Sequence, residues 1–116
     1  MPRQGEVTMS KYDEFAAAVK TGARSLAKDA LNGFPEQVVA DAQGFLDKIK
    51  DDLKRWTDQL ALKKIDEEDF RDLVQAKAAL AEIRALRECG VELTQLERFR
   101  SGLIELVINS AFDAFL

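Results

Sequence analysis

The chain has 116 residues, 47% of them hydrophobic and 33% charged, and a formal net charge of -4, a balance that excludes a disordered polyelectrolyte and is sized for one globular domain. It contains no histidine and one cysteine, which removes imidazole catalysis, histidine metal ligation and any intrachain disulfide. Twenty-one acidic against seventeen basic residues, with no segment strongly basic, argue against a nucleic-acid partner.

Residues 1–9 show no hydrophobic periodicity and read as a disordered tail ahead of a single helical domain over 10–116. Ser10, with Asp13 three residues later, is a capping-box variant that opens a first helix over about 10–31. Tyr12, Phe15, Ala16, Val19, Ala23, Leu26 and Ala30 recur there at spacings of three and four, so one face is apolar. In Asn32-Gly33-Phe34-Pro35, Gly33 suits the left-handed position after a helix and Pro35 suits the first turn of the next.

The second helix, about 35–62, carries the most regular seam, through Val39, Ala42, Leu46, Ile49, Leu53, Trp56 and Leu60. Its other face mixes both signs of charge, including Asp51 and Arg55 at the i, i+4 spacing that favours pairing. Ile65-Asp66-Glu67-Glu68-Asp69-Phe70 is the clearest local signature: Asp66 caps, Asp69 answers it, and Ile65 with Phe70 forms a hydrophobic staple. A third helix follows over about 67–88 and ends at Gly90. Thr94 with Glu97 predicts a further capping box and a fourth helix over about 95–116.

The pattern predicts an all-α fold, a four-helix antiparallel up-down bundle with short connections. Its central element is the run Leu103–Leu116, apolar almost all round, with Glu105, Asn109 and Asp113 as one narrow polar line. An antiparallel turn at 89–94 brings Lys77 near Glu105 and Arg71 near Asp113; otherwise the line faces water or another subunit. Gly22, Gly44 and Gly102, costly inside helices, are candidate sites of close helix approach.

The side chains with chemistry read as structural. The acids from Asp66 to Asp69 lack the glycine and ligand spacing of a calcium loop and serve as caps. Cys89 sits at a helix C-terminus, where the dipole disfavours a thiolate. Arg84, Arg87, Arg98 and Arg100 have Glu88, Glu92 and Glu97 within reach, and Ser110 is expected to bond back to the Leu106 carbonyl. No catalytic, cofactor-binding or metal site is expected, and no stretch reaches the roughly 18 to 20 apolar residues of a spanning helix.

The functional expectation is a non-catalytic cytoplasmic module that self-associates or binds a protein partner through the apolar faces of the second and fourth helices. The candidate interface is Trp56, Leu60, Ile104, Val107, Ile108, Phe112 and Phe115. The alternative is reversible binding to a lipid or other hydrophobic surface. In general character the Ala-rich amphipathic pattern resembles that of exchangeable apolipoproteins and phasins, though mixed charge on the polar face of the second helix is unlike an interfacial helix.

Overall fold

The computed structural model describes residues 10–31 and 33–116; the expected tail over 1–9 lies outside the described residues. Among these the fold is all-helical, with six α-helices and one 3-10 turn. In chain order they are α1 (Lys11–Ala30), α2 (Pro35–Lys48), α3 (Lys50–Ala61), α4 (Glu67–Gln75), the 3-10 turn (Ala78–Leu80), α5 (Arg84–Glu88) and α6 (Leu93–Phe115).

Helix α1 starts as its sequence dictates: the Ser10 hydroxyl accepts the Asp13 N–H at 3.1 Å, satisfying one of the otherwise orphaned first-turn donors. Phe15, Val19, Ala23 and Ala27 form its buried stripe. The left-handed residue in the next connection is Phe34 (φ 63°), not Gly33, and Pro35 then opens α2. Phe34 is left 37% exposed.

The expected second helix is divided at Ile49, whose backbone (φ -115°, ψ 19°) leaves the helical region. Hydrogen bonding continues across it, with the Ile49 N–H donating to Phe45 and Leu53 donating to Ile49. The buried seam runs through as well, over Leu46, Ile49, Leu53, Trp56 and Leu60. No proline or glycine adjoins Ile49, and nothing in its surroundings explains the division. On the outer face Arg55 pairs with Asp52 at 2.7 Å rather than with Asp51.

Lys63 (φ 61°) closes α3 in the left-handed position usually given to glycine, with the Lys64 N–H donating to the Gln59 carbonyl at 2.8 Å. The capping box then forms as expected: Asp69 N–H donates to Asp66 at 2.8 Å, and Asp66 N–H to Asp69 at 3.2 Å. The third expected helix is not continuous. It stops at Gln75, makes a 3-10 turn and resumes only at Arg84.

Helix α6 packs against α1, α3 and α4, and Leu96, Phe99, Leu103, Ile104, Val107, Ile108 and Ala111 are buried along it. It begins at Leu93 after Glu92, without a side-chain cap. The expected Thr94–Glu97 box does not form; Glu97 pairs with Arg100 instead. Phe70 lies on Phe112 with ring centroids 5.9 Å apart, which keeps the antiparallel register expected for α4 and α6.

Two glycines set how closely α1 and α6 approach. A Cβ at Gly22 would lie 2.9 Å from Leu106 Cδ2, and one at Gly102 would lie 2.8 Å from Leu26 Cδ2. Each leucine stands four residues after the glycine of its own helix, so the two contacts are reciprocal. Gly44 has no such neighbour, and a Cβ there would meet open space.

Candidate interaction surface

The expected interface residues are largely inside the single chain. Val107 and Ile108 are fully buried and Leu60, Trp56 and Ile104 nearly so, while Phe112 and Phe115 are half-buried. Phe112 is spent on Phe70, and Phe115 meets Phe15 edge-on at 6.1 Å between centroids. Within the single chain α1, α3 and α4 cover the apolar sides of α6, and the glycine seats bring α1 close enough to do so.

The polar line of α6 lies outside: Glu105, Asn109 and Asp113 are exposed, with Glu97 and Ser101 continuing the stripe. Neither expected cross-helix pair forms. Arg71 reaches Glu105, bonding both carboxylate oxygens at 2.8 and 2.9 Å, and Lys77 lies 3.5 Å from Asp52. For Lys77 the cause is the end of α4 at Gln75, which removes it from the helical face that was to meet Glu105.

The break after α4 is held from several directions. Asp41, on α2 and 9% exposed, accepts the N–H of Ala85 at 2.8 Å and of Leu86 at 3.0 Å. It caps α5 from 44 residues away, where Ile83, the residue at the N-cap position, offers no side chain able to do so. Ile83 is itself left-handed (φ 53°) and buried, an outlier for a β-branched residue and a local store of strain. Carbonyls freed by the break are taken up by basic side chains: Arg100 Nε donates to Ala81 at 2.8 Å and Arg87 to Glu82 at 2.9 Å. Lys48 bonds the Leu80 carbonyl at 3.5 Å and pairs with the Glu82 carboxylate at 2.7 Å. That hydrogen bond from Lys48, with its charge and that of Arg84, holds the Glu82 carboxyl below its ordinary range. The Arg84 and Arg100 guanidiniums are thus paired, with Glu82 and Glu97, rather than gathered for an anion.

No family model, curated protein or solved structure matches the chain.

Cys89 is an exposed free thiol at the end of α5. Ser110 is buried, and among the described residues the back-bond to a helix carbonyl belongs to Thr57, whose hydroxyl donates to Leu53 at 2.8 Å. Tyr12 is pushed up to about 12 by burial and by the acids Asp47, Asp13 and Asp51, with the Lys54 ammonium 5.4 Å from its ring centre. Among the described residues no helix is long and apolar enough to cross a membrane.

Among the described residues the most exposed large apolar side chains stand at the ends of helices. Leu62 is 67% exposed, Leu93 72% and Leu116 61%. Leu116 borders a shallow depression of about 490 Å³ with Ile65 and the charged residues of the turn between α3 and α4. Leu62 stands at the start of that turn. Sequence reading missed Asp41 and the break it holds, although one signal was present: an acid at helical spacing from Val38 and Phe45, inside the apolar stripe of α2.

Proposed function

We propose that the chain is a non-catalytic interaction module, an antiparallel bundle of four helical segments that self-associates or binds a protein partner through the ends of its second and fourth segments. Those segments are α2 with α3, and α6. The observation that carries this reading is the exposure of Leu62, at 67%, in the turn that follows α3. At the same end half-buried Ile65 and Phe115 extend the apolar surface. The flanks are charged and locally paired, as in Arg55–Asp52 and Arg71–Glu105, and surface pairs of this kind contribute little beyond solubility.

The test is mass in solution by multi-angle light scattering over a wide concentration range, followed by liposome flotation with and without anionic lipid. Growth of mass with concentration and no flotation supports the reading. A monomer throughout, recovered instead with vesicles, replaces it with binding to a lipid surface.

A further inference from the structure

Of the three glycines inside helices, two receive a leucine from the facing helix: Leu106 rests on Gly22 and Leu26 on Gly102. Gly44 is the third, and a Cβ built on it meets nothing within 4 Å. Glycine in a helix interior is costly unless a neighbour must come close to the backbone, and among the described residues none does so here. The space beside it is a hollow of about 280 Å³. Ala40 and Gly44, one turn apart on α2, line one wall, and Leu80, Ile83 and Ala85 line the other. Leu80 is 40% exposed there. We infer that this hollow is a docking seat for a leucine-sized aliphatic side chain, presented by a helix of a partner protein that carries a basic residue beside it. Gly44 lies on the flank of α2 and Leu62 beyond the end of α3, so this surface is separate from the one proposed above and stands or falls apart from it.

Three features define the occupant. The two filled seats show what a helix glycine of this chain receives, the branched tip of a leucine carried on another helix. The hollow is open on its outer side, where Ala40, Lys48, Leu80 and Arg84 are exposed. It therefore lacks the enclosure that buries most of a free small molecule, whereas a side chain held by a partner needs only its tip covered. The rim charges are matched but for one. Lys48 and Arg84 both pair with Glu82, at 2.7 and 2.8 Å. Glu88, also at the rim, is exposed and makes no ion pair with another described residue. A lysine or arginine of the partner answers it. With no surplus of positive charge, the rim does not suit the anionic headgroups that draw basic helices to membranes.

The experiment is amide-resolved NMR of the full chain, titrated with a capped alanine- and glutamine-based helical peptide of about 18 residues that carries one leucine and, four residues on, one lysine. Shifts concentrated at Gly44, Leu80 and Ala85 are expected, with a dissociation constant of about 0.1 to 1 mM. Replacing the peptide leucine with alanine should weaken binding at least about tenfold. Gly44→Leu fills the seat with the chain's own side chain; it should stay folded by circular dichroism and lose the response. Gly44→Ala should raise the urea midpoint and weaken binding, so that stability and affinity move in opposite directions. Glu88→Lys should weaken the lysine peptide about threefold and favour a peptide with glutamate in its place. No shift at those amides, at peptide concentrations several times the expected constant, overturns the seat. Shifts at Leu62 and Ile65 instead overturn it while favouring the surface that follows α3. A Gly44→Leu chain that binds like the parent, or that fails to fold, also overturns it, as do leucine and alanine peptides that bind alike. Lysine and glutamate peptides bound equally by both chains overturn the part given to Glu88.

Discussion

Replacing Asp41 with alanine tests the break after α4 more directly than any change within the break. The carboxylate is the acceptor for the Ala85 and Leu86 N–H groups, at 2.8 and 3.0 Å. Leu86 is fully buried and Ala85 half-buried, so Asp41→Ala leaves one donor in apolar surroundings and one that water reaches in part. A buried donor stripped of its partner costs about 1 to 3 kcal/mol, and loss of a helix cap about 1 kcal/mol. Together the expected loss is about 2 to 4 kcal/mol, a large share of the 5 to 15 kcal/mol typical of whole domains. In a chain of this size that lowers the melting temperature by roughly 10 °C. Trp56, the only tryptophan and 5% exposed, reports urea unfolding by fluorescence. Amide exchange at Ala85 and Leu86 should accelerate more than exchange along α1. Asp41→Asn keeps an acceptor oxygen and should lose about half as much, while Asp47→Ala, at an exposed position of the same helix, should stay within about 0.5 kcal/mol. An Asp41→Ala chain as stable as the parent, with unchanged exchange at both amides, would refute the trans-cap account.

Four further outcomes are expected. Val107→Glu should unfold the chain rather than merely alter its assembly, because Val107 is fully buried and an unpaired carboxylate is not accommodated there; a folded variant by circular dichroism contradicts the core assignment. Gly44→Ala should stabilise by about 1 kcal/mol, since a Cβ there meets open space, whereas Gly22→Ala displaces Leu106 and should gain less or lose stability, compared by urea midpoints. Tyr12 alone absorbs as a phenolate near 295 nm, and its titration should be centred toward 12. Its folded value is raised, so the stability it contributes is present below the ordinary 10.0 and lost as pH rises through 12; a midpoint at the ordinary value refutes its desolvation. Asp52, bonded to Arg55 and facing Lys77, and Glu82, bonded to Lys48, are both held below their ordinary 3.8 and 4.5. Their contribution is present above those values and lost as pH falls through the lowered ones, so the urea midpoint should decline in acid. Glu82→Gln should flatten part of that decline, and a midpoint constant down to pH about 3 contradicts the pairing.

Local chemistry was legible wherever it was self-contained. Ser10 with Asp13, the Asp66–Asp69 box, Pro35 and Gly90 (φ 79°) all act at the ends where their residue types place them. Those signals depend only on neighbours three or four residues away. The break over 76–83 was not legible because Ala76 to Leu86 is rich in alanine and leucine and locally favours an unbroken helix. Its cause sits on α2, in a carboxylate 44 residues upstream, and tertiary hydrogen bonding overrides the propensity. How much of the candidate interface the chain itself covers was not legible for a related reason. Apolarity along α6 was read correctly, but periodicity does not say how much of it neighbouring helices will cover. The glycine seats decided that, and of the three interior glycines only Gly22 and Gly102 face a neighbour.

Those seats act as a ratchet between α1 and α6. Leu106 rests on Gly22 and Leu26 on Gly102, so sliding either helix by one residue would drive both leucines onto positions that carry side chains. One residue inserted between Gly22 and Leu26 would turn the tooth about 100° away from its notch, so that the two contacts could no longer form together. Such an indel should therefore be far more damaging than any single substitution on the exposed face of α1. The alignment of these two long helices is set without a single polar contact between the four residues that fix it.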